Sequence, residues 1–100
     1  MKNNEKMYFT VTGLFRLPTA DFIKPGMEVT LEKEPDNEYD SEAITVSMEA
    51  IGKIGYVANS VHTVIGTCAS AGRIYDKFDK AAKGKVLYNM DEALVCELMI

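Results

Sequence analysis

The chain has 100 residues, 47% of them hydrophobic and 26% charged, and its formal net charge is −4. This length and composition fit one globular domain over residues 1–100, and no apolar run reaches the ~18 residues that a membrane span needs. The net negative charge argues against tight nonspecific binding to nucleic acid, because phosphate binding depends on Lys and Arg.

The charge is distributed unevenly along the chain. Residues 28–49 hold eight acidic residues, with Lys33 as their only cation. Residues 73–85 hold Arg73 and four lysines against two aspartates. A polyanion would therefore prefer the second region.

The predicted compartment is the cytoplasm. The first residues, MKNNEKMYFTV, lack the apolar core of a signal peptide. Cys68 and Cys96 lack the paired spacing of metal and redox motifs, so we expect both to be reduced and buried.

Four strands are predicted in the first half of the chain. Residues 7–13 alternate between apolar and polar side chains, as a half-buried strand does. Two similar strands flank the loop EPDNEYD at 34–40, and residues 50–57 form the fourth. In this strand Gly52 and Gly55 indicate a bulge, a sharp bend or a close backbone approach. The residues expected to face the core in the first three strands are Met7, Phe9, Val11, Met27, Val29, Leu31, Ile44, Val46 and Met48.

The apolar period changes after residue 57. Six residues recur at the spacing of one helical face, which predicts an amphipathic helix over residues 61–72 with Asn59 or Ser60 as its N-cap. This helix either continues through Phe78 or breaks near Gly72. The six residues are Val61, Val64, Ile65, Cys68, Ala69 and Gly72.

Two further strands complete the predicted order β-β-β-β-α-β-β. They are KVLYNM at 85–90 and ALVCELMI at 93–100, joined by a turn at 89–92. Six short strands in so small a chain favour a closed or partly closed barrel, because closure removes exposed strand edges. The expected fold class is mainly β with one or two helices, α+β by content. The apolar last strand fits either the barrel or a dimer interface.

Acidic residues occupy every second position of the loop before the third strand, which is one pattern that binds metal. Asp36-x-Glu38-x-Asp40 is similar to the start of a calcium-binding loop. Such a loop needs glycine at its sixth position and a bidentate glutamate at its twelfth. This chain has Ser41 and Ser47 there, so we expect a solvated acidic rim and no metal site.

The sequence does not favour an enzyme. His62 is the only histidine, Cys68 lies nearly opposite it on the predicted helix, and no nucleophile-elbow motif occurs. Gly52-Lys53-Ile54-Gly55 has the G-x-x-G form of the KH loop, but that loop joins two helices and here both flanks are strand-like. We expect no catalysis and no cofactor.

Tyr39 and Asp40, at the end of the acidic loop, admit two interpretations. In the structural one, Tyr39 plugs the barrel mouth and Asp40 forms an Asx-turn or a cap for residues 41–43. In the functional one, Tyr39 stacks on a base and Asp40 accepts a hydrogen bond from a sugar hydroxyl. Base–aromatic stacking contributes roughly 1–3 kcal/mol per base, so one tyrosine matters.

The stretch VTLEKEPDNEYDSEAITV at 29–46, followed by IGYV at 54–57, resembles the HIRAN domain. The recurring pattern of that family includes proline, Asn or Asp, Tyr-Asp, Ala-Ile-x-Val, and a strand with Ile/Val-Gly-(aromatic or His)-(Val/Leu). The segment FTVTGL at 9–14 also fits its first strand. The combined N-x-Y-D-x-x-A-I-x-V and I-G-Y-V spacing is the most specific part of the resemblance.

The resemblance implies an OB-like six-stranded barrel that binds nucleic acid. In fork-remodelling members, fused to helicase-like motors, the domain captures single-stranded DNA with a free 3′ hydroxyl. The Tyr-Asp pair of that pocket corresponds to Tyr39 and Asp40. Because no motor is present in these 100 residues, a helicase or nuclease would act in trans.

Four further site residues follow from the resemblance. Phe15 and Arg16 match a basic-aromatic pair after the first strand, in reversed order, and Tyr56 lies on the I-G-Y-V strand near the site. Asn59 stands where the family can carry a phosphate-binding lysine. Together with the acidic loop, this departure predicts weaker phosphate binding than in the motor-fused relatives.

A carboxylate can accept from a terminal hydroxyl but repels a phosphate, so Asp40 predicts a preference for 3′-hydroxyl over 3′-phosphate ends. The alternative is a protein-interaction module that kept the fold and lost DNA binding. Arg16, Lys53, Arg73 and Lys77 gathered in one groove beside Tyr39 would favour DNA. Scattered cations and an exposed apolar patch would favour the interaction module.

Overall fold

The computed structural model describes residues 6–13, 22–49, 51–60, 62–90 and 92–99. Within these residues, six antiparallel strands close into a barrel in the order β1-β4-β3-β2-β5-β6. This confirms the predicted six-stranded, mainly β barrel. The elements are β1 Tyr8–Thr12, β2 Glu28–Lys33, β3 Ile44–Met48, β4 Gly52–Val57, α1 Ala71–Ile74, a 3-10 helix Tyr75–Lys77, β5 Ala81–Asn89 and β6 Leu94–Met99.

The core forms from the alternating apolar side chains of the strands. Of the inward residues predicted for the first three strands, only Met7 and Met27 are half-buried, and they pack against the core. Each large apolar side chain that is fully buried contributes about 1.5–3 kcal/mol. The buried members of the predicted set are Phe9, Val11, Val29, Leu31, Ile44, Val46 and Met48.

Glycine lets β4 lie close to β1. A Cβ atom added at Gly55 would lie 2.0 Å from the carbonyl oxygen of Thr12. The pairing of β3 with β4 also shifts register between Val46 and Ser47. Of the alternatives that the two glycines predicted, the close backbone approach is present at Gly55, and the register shift fits a bulge.

The helix predicted over residues 61–72 is wrong. Residues 62–67 form turns, Gly66 adopts a φ of 57° in the left-handed region, and the α-helix covers only Ala71–Ile74. Val61 lies outside the described residues.

Tertiary hydrogen bonds to β1 explain why this segment is irregular. The Ile65 amide donates to Thr10 Oγ1 at 3.1 Å, and the Ala69 amide donates to the Tyr8 carbonyl at 2.7 Å. These bonds satisfy the backbone without a helix and leave Thr10 fully buried. This segment therefore covers β1 without forming a helix.

The fifth strand begins at Ala81, earlier than the predicted residue 85. Residues 81–84 have little intrinsic strand preference, but they pair with β2. Gly84 permits this pairing because an added Cβ would lie 2.8 Å from the Phe9 ring. Before the strand, the Lys33 ammonium donates to the Phe78 carbonyl at 2.8 Å and lies 4.5 Å from the Tyr75 ring centroid.

Both cysteines are buried free thiols, as expected. Burial, with a smaller contribution from Cys68, raises the pKa of Cys96 to about 12. None of the helices in the described part of the chain is long and apolar enough to cross a membrane.

Candidate nucleic-acid interface

An open groove of about 980 Å³ lies on one side of the barrel. It is bounded by the end of β1, the loop at 37–43, strand β4, residues 58–60 and Thr63. The groove thus joins the loop that carries Tyr39 and Asp40 to the strand that carries Tyr56.

Asn37 organises the loop. Its side-chain amide donates to Glu34 Oε1 at 2.8 Å. Its Oδ1 accepts from the backbone amides of Tyr39 at 2.8 Å and Asp40 at 3.0 Å. One side chain therefore fixes both ends of the turn and sets the position of the Tyr-Asp pair.

Asp40 uses both carboxylate oxygens within the protein. Oδ1 accepts from the Glu42 amide at 2.9 Å, which confirms the predicted Asx-turn. Oδ2 accepts from the side-chain amide of Asn59 at 2.9 Å. Each carboxylate oxygen has two lone pairs, so Asp40 is held in place and can still accept a hydrogen bond from a ligand.

Tyr39 does not plug the barrel. Its side chain is 92% exposed, so that part of the structural interpretation is wrong. The backbone of Tyr39 is fixed by Asn37, whereas its ring is open to solvent at the edge of the groove. An exposed ring on a fixed backbone can stack on a planar ligand.

Tyr56 lies between a cation and a carboxylate. The Lys53 ammonium donates to the Tyr56 hydroxyl at 2.6 Å and lies 4.1 Å from the ring centroid. The Tyr56 hydroxyl in turn donates to Glu34 Oε1 at 2.8 Å.

The same contacts shift the titration of Glu34. Its pKa is lowered, first by the hydrogen bond from Asn37, then by that from Tyr56, with a further contribution from the Lys53 charge. Desolvation opposes these effects without cancelling them. Glu34 is therefore held as a carboxylate.

Asn59 connects the loop to the helix. Its amide nitrogen donates to Asp40 and, at 3.4 Å, to Glu42 Oε1. Its Oδ1 accepts from the Gly72 backbone amide at 2.8 Å. Asn59 therefore positions Asp40, and its side-chain donors are already in use.

Four of the six predicted site residues line the groove together: Tyr39, Asp40, Tyr56 and Asn59. Phe15 and Arg16 lie outside the described residues. Of the other cations that sequence analysis considered, Arg73 and Lys77 do not line the groove. They lie on α1 and the 3-10 helix, so among the described residues the gathering of cations that would favour DNA is limited to Lys53.

Lys53 is the only cation, and Asp40 the only carboxylate, among the described residues that line the groove. Simple strand alternation would place positions 53 and 56 on opposite faces. Because of the register shift, Lys53 pairs with Ser47 and Tyr56 with Thr45, which lie two residues apart on one face of β3. Gly52 and Gly55 were the available signal for this bulge.

Glu34 and Asn37 were also missed as organising residues, although both belong to the quoted motif. A hydrogen bond between a loop residue and a strand 22 positions later has no local sequence signal. Within the described residues, no group of three His, Cys, Asp or Glu side chains is arranged to hold a metal ion.

A second, mainly apolar groove of about 520 Å³ includes Cys68, Val95 and three exposed large side chains, Tyr8, Tyr88 and Met90. Tyr88 is 62% exposed and Met90 is 52% exposed. The apolar patch that sequence analysis associated with a protein-interaction module is thus present, separate from the groove beside Tyr39.

Comparisons with known proteins agree with this architecture. The HIRAN domain of human HLTF is similar with a TM-score of 0.65 and 19% identity, over 93% of this chain and 72% of that one. A protein from Lactobacillus plantarum is similar with a TM-score of 0.63 and 24% identity, over 92% of this chain and 88% of that one. No curated protein matches the sequence.

The two structural likenesses establish the fold, and the family is established by sequence. The profile of the HIRAN domain, a nucleic-acid-binding module, matches residues 4–95, which include β1 to β5 and the loop with the Tyr-Asp pair. The chain therefore belongs to the HIRAN domain family.

Proposed function

We propose that this chain binds single-stranded DNA at a free 3′ end, in the groove that contains Tyr39, Asp40 and Tyr56. The observation that carries the proposal is the arrangement of Tyr39 and Asp40. The Tyr39 side chain is 92% exposed, and it lies beside the Asp40 carboxylate, which hydrogen bonds from Glu42 and Asn59 hold in place. Membership of a nucleic-acid-binding family supports the ligand class.

The two residues have different roles. Tyr39 stacks on the terminal base, which contributes roughly 1–3 kcal/mol. Asp40 accepts a hydrogen bond from the terminal sugar hydroxyl through a lone pair that the Asx-turn leaves free. A 3′-phosphate would bring about −1.5 to −2 charge against this carboxylate, so hydroxyl ends bind better.

The domain acts as a binding module without catalysis of its own. The residues proposed here bind a base and a hydroxyl, and none is assigned as a nucleophile or a general base. Processing of the bound end would depend on a helicase or nuclease supplied in trans.

Fluorescence anisotropy with short single-stranded DNA tests the proposal. Wild type, Tyr39→Ala and Asp40→Asn are each titrated with 3′-hydroxyl DNA at low and physiological salt. Tyr88→Ala is the matched control, because Tyr88 is also an exposed tyrosine but lies in the other groove.

We expect Tyr39→Ala to weaken binding at least fivefold and Tyr88→Ala to leave it unchanged. Asp40→Asn should reduce the preference for hydroxyl over phosphate ends. Equal effects of Tyr39→Ala and Tyr88→Ala would reject the groove as the binding site.

The second candidate function, a protein-interaction module, is favoured by the exposed apolar groove around Tyr88 and Met90. Absence of DNA binding by the wild type, even at low salt, would select it over DNA capture. A partner bound through that groove should then be lost with Tyr88→Ala and retained with Tyr39→Ala.

A further inference from the structure

We infer that Lys53 makes the phosphate contact of this groove. The inference rests on the proposed function and adds the residue that binds the strand's backbone. It starts from the distribution of charge: Lys53 is the only cation among the described lining residues, and it is exposed.

The position of Lys53 is a product of the fold. The register shift between β3 and β4 places Lys53 and Tyr56 on the same face of the barrel. The ammonium lies over the Tyr56 ring and donates to its hydroxyl at 2.6 Å. A long side chain is thus held at one place on the groove wall before any ligand arrives.

The hydrogen bonds of Tyr56 leave Lys53 free to bind an anion. The Tyr56 hydroxyl uses its only O–H to donate a hydrogen bond to Glu34, so it can only accept from the ammonium. An ammonium has three N–H donors, and one of them is used here. Two remain for phosphate oxygens, with which they form charge-assisted hydrogen bonds.

Asn59 cannot take this role in the arrangement seen. Its amide group donates to Asp40 and Glu42, and its oxygen accepts from Gly72. Both donors of that amide therefore already serve carboxylates on the loop.

The groove consequently has a polarity. Asp40 and Lys53 are the only charged side chains among the described residues that line it, and they have opposite sign. A strand binds with its terminal hydroxyl at Asp40 and a phosphodiester at Lys53, since the reverse orientation would oppose like charges.

The salt dependence of binding tests this assignment. Short 3′-hydroxyl DNA is titrated against wild type, Lys53→Met and Lys53→Arg over a range of salt concentrations, and thermal unfolding confirms that each variant is folded. Lys53→Met keeps an unbranched apolar chain over Tyr56 but removes the charge. Lys77→Met is the control, because it removes an exposed lysine that does not line the groove.

We expect Lys53→Met to weaken binding about tenfold at low salt. It should also make the fall of log K with log salt less steep by about 0.7, the value for one phosphate contact on a single strand. Lys53→Arg should retain most of the affinity and the slope. Lys77→Met should change neither by a comparable amount. If Lys53→Met fails to fold, Lys53→Gln replaces it in the same comparison.

The outcomes separate the two proposals. Wild type that binds no DNA rejects the proposed function and this assignment with it. Wild type that binds, together with a folded, charge-free Lys53 variant of unchanged affinity and slope, overturns the assignment alone. Equal losses in the Lys53 and Lys77 variants also overturn it, because they indicate nonspecific attraction.

Discussion

Glu34 and Asn37 show how single side chains build the site from a loop with high negative charge. Asn37 holds the backbone of Tyr39 and Asp40, while Glu34 accepts hydrogen bonds from both Asn37 and Tyr56. The acidic composition suggested a solvated rim. Two of its residues, Glu34 and Asp40, instead serve as acceptors that tie the loop to the barrel.

Replacing Glu34 with glutamine should change the response of stability to acid. The pKa of Glu34 is lowered in the folded state, so its stabilising contribution is complete above the ordinary glutamate pKa. That contribution is lost as the pH falls through the lowered folded value. Wild type should therefore lose more unfolding free energy between pH 7 and about pH 3 than Glu34→Gln loses.

Urea unfolding at the two pH values measures this difference, with Glu38→Gln as the control because Glu38 is an exposed glutamate in the same loop. If the unfolding free energies of wild type and Glu34→Gln depend on pH in the same way, the hydrogen bonds that Glu34 accepts do not stabilise the fold.

At the scale of the elements, β1 and β4 are brought together by Gly55. Gly55→Ala would place a Cβ atom against the Thr12 carbonyl, so β1 would have to move away from β4. We expect a loss of roughly 2–4 kcal/mol of unfolding free energy and weaker DNA binding, since the groove lies where these strands meet.

The control for this prediction is Gly52→Ala. Gly52 has a φ of 94° but open space around its added Cβ, so this variant reports backbone strain without a clash. A loss of about 1 kcal/mol is expected there. If Gly55→Ala unfolds at the same urea concentration as wild type, the close approach is not a constraint on stability.

The irregular segment between β4 and α1 depends on Thr10. Thr10→Val keeps the shape of the side chain but removes the oxygen that accepts from the Ile65 amide. Leaving that amide without its partner should cost about 1–3 kcal/mol, measured by urea unfolding. Thr10→Ser restores the acceptor and should recover part of the loss, whereas equal stabilities of the Val and Ser variants would refute this role.

This segment is also where the sequence was least informative. The spacing of Val64, Ile65, Cys68 and Ala69 satisfies a helical face, and local pattern cannot reveal that β1 supplies alternative hydrogen-bond partners. By contrast, the strands with clear alternation and the two glycines of β4 were predicted because their signals are local. The two glycines indicated a bulge, but they did not indicate that it would place Lys53 and Tyr56 on the same face of the barrel.

At the scale of the whole molecule, closure of the barrel determines how the site is assembled. Tyr39 and Tyr56 are brought together because β3 and β4 are neighbours, and Asn59 follows β4 directly. The motif predicted these residues as a group, whereas their contacts required the fold. Arg73 and Lys77, whose presence in this groove would have favoured DNA, belong to α1 and the 3-10 helix and do not line it.

Charge on the whole molecule points to selective rather than strong binding. The net charge is −4, and the described groove residues offer one cation and one carboxylate. DNA affinity should therefore decrease only gradually as the salt concentration rises, with a slope of about 0.7 per phosphate contact. Most of the affinity should come from base stacking and from the contact with the terminal hydroxyl. A steep slope would instead indicate a broad phosphate-binding surface elsewhere.

The most direct test of the central claim is a competition between two DNA strands of identical sequence, one ending in a 3′ hydroxyl and the other in a 3′ phosphate, for the wild-type protein. Fluorescence anisotropy gives both dissociation constants under the same salt conditions. Binding of the hydroxyl end at least tenfold more tightly is the result expected if Asp40 receives the terminal hydroxyl. Equal binding of the two ends would contradict the claim that this groove recognises a free 3′ end.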